Sequence, residues 1–557
     1  MSVLQHMTNK EIATQFNFLG DIMELHGENT FKIRSYRSAY RNLRSLPEPL
    51  HGMTDEEIGG LKGVGKAISG KIQELLTTGE MQTLEKYKDK TPPGVQEMLG
   101  IKGFGPKKIK VIWKELGAES IGEWLYAVNE NRLVELKGFG EKTQADLKKK
   151  LEYYKTSIGK FRLGTVLAAK DALLERLRES LQTGEKIDET GDIRRRCNVV
   201  EAIEIIVGSE RDWLYVIDKV LMNTVATPDG FAGESTEGFP VKIFTCSPSE
   251  YGTRQLQLTG NQDFVTALMK LANWDDLPNV EQETDLFAQA NLKYIEPELR
   301  EDDWAIELAQ ADKLPKLLVA EDIKGVIHSH TTYSDGGATL RQMAEYSRDQ
   351  GYEYIGITDH SQAAFYANGL KPDRVLKQMA EIDELNAELA PFKILKGIEC
   401  DILANGDLDY DDDILAKFDF IIASVHSNLR MDKEKATQRI LKAVENPFTS
   451  MLGHPTGRLI LSREGYPLDH QRIIDACAAN NVSIELNASP YRLDLDWSWI
   501  PYAREKGVLI SINPDAHSLV GIHDIKYGTL SARKGGLDKE GCINARGWED
   551  FLAALKK

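Results

Sequence analysis

Segment 325–336 reads GVIHSHTTYSDG and sets the expected architecture of the carboxyl-terminal part of the chain. A short apolar run ends there in His328 and His330, which lie two residues apart. Residues with that spacing on a strand project from the same face, so both imidazoles can bind one metal ion. Asp335 follows in the predicted loop and adds a carboxylate. The segment therefore predicts a metal site at the end of a buried strand.

Six further apolar runs follow, and helical patterns separate them. The runs are YIGITDH, ILKGIEC, FIIASVHS, TSMLGHP, VSIELNAS and VLISINPDAH. Continuous apolar runs that alternate with helices indicate a parallel sheet buried on both faces. Seven such units without an obvious break favour a closed α/β barrel over an open sheet.

Histidines and acids stand at the carboxyl ends of six of the seven runs. In a parallel barrel these ends meet at one mouth, where such barrels place their chemistry. Each residue alone has an ordinary structural explanation, such as a helix cap at Asp335, but chance does not explain the set. Imidazoles and carboxylates without cysteine suit Zn²⁺, Mn²⁺ or Fe²⁺ and argue against Ca²⁺. The predicted ligands are His328, His330, Asp335, His360, Glu399, His426, His454, Asp515 and His517.

Taken in order, HSHTTYSDG, TDH, GIE, SVHS, GHP and DAH resemble the polymerase-and-histidinol-phosphatase (PHP) domain. The resemblance implies a metal-dependent phosphoesterase with up to three divalent ions, Zn²⁺ and/or Mn²⁺. It assigns the first ion to His328, His330, Glu399 and Asp515. It assigns the second to the bridging Glu399 with His426 and His454, and the third to Asp335, His360 and His517. Bound ions lower the pKa of a shared water and neutralise charge that builds on phosphate oxygens.

Glu399, as the bridging carboxylate, is the first catalytic candidate. Two arginines in the same region, Arg458 in GHPTGRLI and Arg492 in NASPYRLD, are candidates to bind the substrate phosphate. Ordinary surface or packing roles explain the two arginines nearly as well.

A glycine motif occurs three times in the amino-terminal part, as LKGVG (61–65), IKGFG (101–105) and LKGFG (136–140). Each copy separates two helical patterns, which is typical of a helix–hairpin–helix. The glycines permit a tight turn, and the next helix presents free N–H groups that bind a backbone phosphate without reading sequence. One copy would be an ordinary helix connector, but three indicate DNA binding. The predicted DNA-binding residues are Lys62, Gly63, Gly65, Lys66, Lys71, Lys102, Gly103, Gly105, Lys107, Lys137, Gly138 and Gly140.

The charge distribution agrees with DNA as a partner, although the 557-residue chain has a net charge of −17. Residues 1–150 contain 23 Lys and Arg against 20 Asp and Glu, so the excess of acidic residues lies in the part of the chain after residue 150. The sequence shows no apolar run that is long enough to span a bilayer and no secretory signal pattern. The five cysteines are scattered without a CxxC pair. We expect a cytoplasmic protein with reduced thiols and no membrane partner.

The front half resembles bacterial family X DNA polymerases through FKIRSYRSAY, the three hairpins, LTGN at 258–261 and IEPELRE at 295–301. That family needs three aspartates to hold two Mg²⁺ ions. Here Ala202, Glu204 and Lys242 stand at the aligned positions, so one carboxylate remains and a cation is added. Mg²⁺ is therefore not expected at the palm, and we predict that polymerase activity is lost.

Lys71, in KAISGKIQEL, matches the family position whose amine forms a Schiff base with an abasic-site sugar. A solvated lysine or a phosphate contact is the simpler explanation for this residue.

Changes of pattern along the chain predict a multidomain protein. It has an all-α helix–hairpin–helix region, an α+β polymerase X-like palm and thumb, and an α/β PHP domain with a distorted (β/α)₇ barrel. The predicted parts are a lyase-like helical domain (1–88), a fingers-like hairpin domain (89–157), a degenerate palm (158–245), a thumb-like region with linker (246–317) and the PHP domain (318–557).

The sequence leaves several functions open. The first is a DNA-repair nuclease acting on single-stranded, gapped or abasic DNA, as an exonuclease and/or abasic-site endonuclease. The family resemblance implies that the exonuclease works in the 3′–5′ direction and is stimulated by Mn²⁺. The second is a small-molecule phosphatase resembling histidinol phosphatase, for which three DNA-binding hairpins would be idle. A third is a non-catalytic DNA-repair scaffold, which leaves the complete ligand set unexplained. Residual polymerase activity is the last alternative.

Overall fold

The computed structural model describes residues 7–101, 103–129, 132–134 and 136–556. The chain divides into two compact units, Met1–Ile158 and Gly159–Lys557. No helix in the described part of the chain combines the length and the apolarity that a membrane crossing requires.

The first unit is built from helices. They are α1 (Asn9–Leu25), α2 (Thr30–Leu43), α3 (Asp55–Gly60), α4 (Lys66–Thr78), α5 (Gln82–Lys88), α6 (Pro93–Leu99), α7 (Pro106–Leu116), α8 (Ile121–Asn129) and α9 (Glu141–Ser157). Helix α1 begins with a capping box between Thr8 and Glu11 and buries Ile12, Phe16 and Leu19 on one face. Helices α4 and α7 each end at a glycine in the left-handed region.

The second unit begins with a mixed α/β region. Its elements are β1 (Phe161–Arg162), α10 (Leu163–Arg178), β2 (Lys186–Glu189), α11 (Gly191–Arg194), β3 (Val199–Val200), β4 (Ile203–Gly208), α12 (Leu214–Ile217), β5 (Met222–Thr227), β6 (Gly230–Glu234) and β7 (Pro240–Cys246). Five of these strands form one sheet in the order β2-β4-β7-β6-β5, in which β4 and β7 run parallel. Four helices follow, α13 (Tyr251–Thr259), α14 (Gln262–Ala272), α15 (Glu283–Gln289) and α16 (Trp304–Gln310).

The remainder of the second unit is the predicted parallel barrel. Its strands are β8 (Gly325–Ser329), β9 (Tyr354–Ile357), β10 (Lys393–Asp401), β11 (Phe420–Ser424), β12 (Met451–Leu452), β13 (Ser483–Asn487) and β14 (Ile510–Asn513). Its helices are α17 (Leu340–Asp349), α18 (Pro372–Leu389), α19 (Asp412–Leu415), α20 (Lys433–Val444), α21 (His470–Ala479), α22 (Ile500–Glu505), α23 (Ile525–Lys534) and α24 (Trp548–Ala554). The seven strands pair in chain order, and each pairing is parallel. The predicted fold class is confirmed.

The barrel is nearly closed between its first and last strands. At the mouth, the backbone N–H of His330 donates to the carbonyl of Ala516 at 2.8 Å. Deeper in the barrel, the Asn544 side chain links the first and last strands. It accepts from the N–H of Ile512 and donates to the carbonyls of Ile512 and Gly325. Asn544 is fully buried. Because buried backbone groups need hydrogen-bond partners, its amide satisfies groups that do not pair directly between the two strands.

Aromatic side chains fill the end of the barrel opposite the mouth. Phe420 and Tyr354 pack against Phe551 of α24. Gly356 and Gly397 make room for Phe420, since a Cβ at either position would lie 2.7 or 2.4 Å from its ring. The polar side chains are thus left to gather at the open, carboxyl end of the strands.

Ion pairs join α23 to the segment before the barrel. Arg533 donates to Glu298 at 2.7 Å, and Lys534 pairs with Glu301 while also donating to the carbonyl of Arg195 at 3.2 Å. The side chain of Lys534 is 2% exposed. Because a buried charge requires a partner, these contacts tie the mixed α/β region to the barrel within one unit.

Candidate metal centre

The nine predicted ligands gather at the mouth of the barrel. His328 is the next-to-last residue of β8, and Asp515 follows β14. Both residues have a positive φ, +64° and +52°, which costs about 1–3 kcal/mol for a side chain other than glycine. The Ala516 N–H donates to the His328 carbonyl at 3.1 Å and holds this conformation. Strain of this kind is typical of functional sites, where it aims side chains that a regular strand would direct elsewhere.

Glu399 lies at the centre of the cluster. Its Oε1 atom is 3.0 Å from Nε2 of His426, 3.0 Å from Nε2 of His454 and 3.3 Å from Nε2 of His328. Its Oε2 atom is 2.9 Å from Nδ1 of His360. The carboxylate therefore presents both oxygens to different imidazoles, which is the position that a bridging ligand requires.

A second group surrounds Asp335. Its Oδ1 atom is 3.4 Å from Nε2 of His517, 3.6 Å from Nε2 of His360 and 3.9 Å from Nδ1 of His330. The rings of His330 and His517 stack with centroids 4.2 Å apart. This group contains Asp335, His360 and His517, which the PHP resemblance assigns to one ion, together with His330.

A third group contains Asp515, whose Oδ1 atom is 3.1 Å from Nε2 of His330 and 3.6 Å from Nε2 of His328. His330 faces Asp515 with one ring nitrogen and Asp335 with the other. It therefore stands between two groups of ligands.

The cluster fits divalent metal ions. The potential ligand atoms lie within 4.8 Å of one another in three sets: His330, Asp335, His360 and His517; His328, His330 and Asp515; and His360, Glu399 and His426. Among the described residues, five buried atoms of the cluster make no hydrogen bond: Nε2 of His328, Nδ1 of His330, Nδ1 of His360, Nδ1 of His454 and Oε2 of Glu399. Nδ1 of His360 and Oε2 of Glu399 are 2.9 Å apart but lack the geometry of a hydrogen bond. A buried polar atom without a partner costs about 1–3 kcal/mol, so coordination of metal ions would relieve this cost.

Burial and charge set the protonation of the cluster. Burial opposes charge on His426, but Glu399 and Asp401 outweigh it and raise the pKa of His426 to about 10. Burial, together with the nearby His517 and His360, lowers the pKa of His330 to about 3. His330 is therefore a neutral ligand at pH 7, whereas a metal ion at His426 must displace a proton.

Sequence reasoning missed two acids that orient the ligands. Glu485, fully buried in β13, lies 2.6 Å from Nδ1 of His328 and accepts from the backbone N–H of His454 at 3.1 Å. Asp401 lies 2.6 Å from Nδ1 of His426. Such partners fix the tautomer and the direction of a metal-binding imidazole. A signal existed, since an acid inside the apolar run VSIELN must be paired when the strand is buried.

The two candidate arginines differ in their surroundings. Arg492 has its Nε atom 3.6 Å from Oδ2 of Asp515, so it faces the cluster. Arg458 donates to Asp496 at 2.6 Å, to the carbonyl of Arg492 at 2.8 Å and to the carbonyl of Leu493. Arg458 thus holds the loop that carries Arg492.

A cavity of about 620 Å³ extends from His426. Arg430, Lys435 and Arg439 contribute to its lining. The guanidinium of Arg439 is buried and donates to the carbonyls of Leu403 and Ser427, so it shapes the wall. A basic wall next to the centre suits a phosphodiester backbone.

The three hairpin turns share one geometry. Gly63, Gly103 and Gly138 have φ values of +77°, +94° and +91°, a conformation that glycine adopts without strain. Gly65, Gly105 and Gly140 precede helices α4, α7 and α9 as their N-caps. Lys62, Lys66, Lys107 and Lys137 are exposed on or next to the turns, whereas Lys102 lies outside the described residues. Each turn therefore presents a helix amino terminus, and each described lysine of this set is accessible to a phosphate.

Lys71 lies in α4 and is partly buried. Its amine donates to the hydroxyl of Thr83 at 2.8 Å.

The predicted palm residues form an ion pair. Glu204 in β4 and Lys242 in β7 are register partners, and their Oε1 and Nζ atoms are 3.1 Å apart. Ala202 is buried immediately before β4. The one remaining carboxylate of this set is thus engaged by a cation.

Comparison with known proteins places these features in a family. A model of the helix-hairpin-helix domain matches residues 7–81, and a model of the PHP domain matches residues 327–489. The chain is 32% identical over 578 aligned positions to the DNA polymerase/3'-5' exonuclease PolX of Bacillus subtilis (strain 168), covering 99% of this chain and 100% of that protein. It is 28% identical to a probable phosphatase of Thermoanaerobacter sp. (strain X514), over 40% of this chain and 91% of that protein. It is 29% identical to a probable phosphatase of Acetivibrio thermocellus, over 35% of this chain and 80% of that protein.

The two domain matches agree with the geometry. The helix-hairpin-helix match covers the first of the three basic turns, and such turns make this a DNA-binding protein. The PHP match begins within β8 and includes seven of the nine predicted ligands. The protein is therefore an enzyme with metal-dependent hydrolase chemistry. The similarity to PolX extends over nearly the whole chain, which shows that this protein belongs to the bacterial PolX family.

Proposed function

We propose that this protein is a DNA-repair nuclease that removes nucleotides from 3′ ends, in the 3′–5′ direction, and that also cuts at abasic sites. The observation that carries this proposal is the convergence of nine histidine, aspartate and glutamate side chains at one barrel mouth, in a chain with three glycine turns of the same geometry. The relative from Bacillus subtilis has 3'-5' exonuclease in its name, which supports the polarity. Single-stranded, gapped and abasic DNA are the proposed substrates.

Zn²⁺ and/or Mn²⁺ are the proposed ions. The first ion would be held by His328, His330, Glu399 and Asp515, the second by Glu399, His426 and His454, and the third by Asp335, His360 and His517. When bound, such ions activate a water as nucleophile and neutralise charge on the phosphate.

The chain's own residues orient this chemistry. Glu485 and Asp401 hold the imidazoles of His328 and His426 in direction through hydrogen bonds of 2.6 Å. Arg492, whose Nε atom is 3.6 Å from Asp515, would bind a non-bridging phosphate oxygen and hold the scissile bond towards Glu399. No protein nucleophile takes part.

The palm would have lost polymerase activity in this chain. Two Mg²⁺ ions repel each other unless several carboxylates lie close to both, and here Glu204 pairs with Lys242 instead. Purified protein should therefore incorporate no dNTP on a primed template with Mg²⁺. Template-dependent incorporation that Glu204→Ala abolishes would overturn this part of the proposal.

The predicted division into five parts gives each region a role. The hairpin parts (1–88 and 89–157) would hold the DNA backbone, and Lys71 would contact phosphate there. The degenerate palm (158–245) and the thumb-like region (246–317) would support the PHP part (318–557). Borohydride trapping on abasic DNA tests Lys71, because a covalent adduct that Lys71→Ala removes would assign it lyase chemistry instead.

The decisive experiment compares substrates. Labelled single-stranded and gapped DNA is incubated with the protein and Mn²⁺ or Zn²⁺, beside a phosphomonoester. Release of nucleotides from the 3′ end that Glu399→Ala abolishes, together with lost metal content, supports the nuclease. Near-native hydrolysis and metal content in Glu399→Ala would show that the site is assigned wrongly.

The phosphomonoester arm tests a second candidate. The probable phosphatases that the barrel resembles favour a small-molecule phosphatase. Rapid turnover of the phosphomonoester without any DNA hydrolysis would establish that function.

A further inference from the structure

Two exposed aromatic side chains stand on the loop that follows His360. Phe365 is 86% exposed and Tyr366 is 64% exposed. The ring centroid of Tyr366 lies 6.4 Å from that of His360, and the rings of Phe365 and Tyr366 are 6.3 Å apart. Single exposed apolar residues are normal on protein surfaces, so exposure alone indicates nothing. The position beside a metal-ligand candidate is what distinguishes this pair.

The loop is anchored to the strands of the metal centre. The Ser361 N–H donates to the carbonyl of Glu399 at 3.0 Å, and the Leu370 N–H donates to the carbonyl of His360 at 2.8 Å. The two ends of the loop approach so closely that a Cβ at Gly369 would lie 1.9 Å from the Ser361 carbonyl oxygen. The backbone that carries the aromatic pair is therefore fixed before any ligand arrives.

The same loop buries its smaller apolar residues. Ala364 and Leu370 are fully buried, and Ala367 is 2% exposed. The loop thus contributes to the core through these three residues while its two largest side chains remain in water. In the described part of the chain, Phe365 and Tyr366 make ring contacts with each other, and Tyr366 also with His360, while most of both side chains stays exposed.

We propose that Phe365 and Tyr366, the aromatic platform, stack on unpaired bases of a DNA strand whose scissile phosphodiester lies in the metal centre. This proposal rests on the proposed nuclease function and specifies its substrate as a single-stranded end. Every base has a π face, so stacking on aromatic side chains tolerates any sequence. The basic wall beside His426, which includes Arg430 and Lys435, suits the backbone of the same strand. In a duplex the faces of a base are covered by its neighbours, so a paired end must fray before it binds.

The test uses two single-stranded oligonucleotides of equal length, labelled at the 5′ end. In one, the last two residues at the 3′ end carry bases; in the other, they are tetrahydrofuran sugars without bases. With Mn²⁺, wild-type protein should hydrolyse the base-bearing end with kcat/KM higher by roughly ten- to a hundredfold, as expected for stacking. The double variant Phe365→Ala, Tyr366→Ala should lose that preference and keep the wild-type rate on the base-free end.

Three further variants separate stacking from size and folding. Phe365→Trp retains a π face and should keep the preference, whereas Phe365→Leu retains bulk and should reduce it. Leu376→Ala, which removes a 49% exposed apolar side chain from α18, should change neither rate. Equal melting temperatures of all variants would exclude a folding defect as the cause of a lost preference.

The outcomes are distinguishable. If wild-type protein hydrolyses neither oligonucleotide, the nuclease function fails and the platform fails with it. If wild-type protein hydrolyses DNA but the double variant keeps the full base preference, only the platform is refuted. Equal loss on both oligonucleotides also refutes the platform, because stacking cannot act on a sugar without a base.

Discussion

Replacement of Glu485 by glutamine should damage the metal centre without changing its shape. Each oxygen of Glu485 accepts from two donors. Oε1 accepts from the His454 backbone N–H at 3.1 Å and from Asn487 at 3.1 Å. Oε2 accepts from Asn513 at 2.8 Å and lies 2.6 Å from Nδ1 of His328. An amide offers only one accepting oxygen, so its NH₂ group must face two donors in either orientation.

The structure gives the size of the effect. Two buried donors lose their acceptor, at about 1–3 kcal/mol each, so Glu485→Gln should lower the free energy of unfolding by about 2–6 kcal/mol. Metal affinity should fall as well, on the order of 10- to 100-fold, because loss of such an orienting partner has that typical effect. The loss of affinity should be largest for the ion that His328 binds.

Urea denaturation of the metal-free protein measures the first effect, and calorimetric titration with Zn²⁺ or Mn²⁺ measures the second. Asp401→Asn is the matched control, since it removes an orienting acid from His426 and should weaken a different ion. Native-like stability and unchanged metal affinity in Glu485→Gln would show that this carboxylate does not orient His328.

Three other changes test charge and backbone geometry. In metal-free protein the pKa of His426 is raised from 6.5 to about 10, so its contribution to stability is full below pH 6.5 and is lost as pH rises through about 10. Urea titrations across that range should show Asp401→Asn destabilising the protein at pH 6 and losing its effect towards pH 10. Burial opposes ionisation of Glu283, yet two arginines lower its pKa to about 2. The contribution of Glu283 to the free energy of unfolding is therefore present above pH 4.5 and is lost as pH falls through about 2. Glu283→Gln should therefore destabilise by roughly 3 kcal/mol at pH 7 in thermal melts, with no difference near pH 2. Gly138→Ala forces alanine into φ +91°, which costs about 1–2 kcal/mol, and should weaken salt-dependent DNA binding in fluorescence anisotropy. Gly59→Ala, where an added Cβ meets no atom within 4 Å, should bind DNA normally, and equal affinities of the two variants would contradict the turn geometry.

The sequence predicts the barrel well because each strand and helix of the barrel is marked by a pattern within its own short segment. Each strand corresponds to a short apolar run, and the parallel order follows from the helices between the runs. The histidines and acids at the strand ends meet for the same reason, since parallel strands place their carboxyl ends together. Likewise, KGxG fixes each hairpin turn through one glycine in the left-handed region, as at Gly63.

What the sequence does not predict depends on contacts between distant segments. Asn544 completes the barrel from a position after the last strand, and no periodic pattern marks it. The positive φ of His328 is set by pairing with Ala516, which is remote in sequence. The sequence also does not reveal that Phe365 is exposed, since a large aromatic side chain is ordinarily expected to be buried.

The palm region combines a paired sheet with only one carboxylate among Ala202, Glu204 and Lys242. Arg194 forms a double hydrogen bond with Glu283, and Arg195 donates to Glu301, which Lys534 of the barrel also contacts. Arg195 is buried and Arg194 is half-buried, and each shares its carboxylate with a second cation, Arg300 at Glu283 and Lys534 at Glu301. Removal of either arginine would therefore weaken an ion-pair network that is largely buried. At these three positions no charge is left unpaired, because Glu204 and Lys242 form an ion pair and Ala202 is apolar. The pair of Glu204 with Lys242 leaves no free carboxylate among these three positions, whereas the barrel mouth brings imidazoles and carboxylates together, so the barrel mouth is a place where metal-dependent hydrolysis can occur.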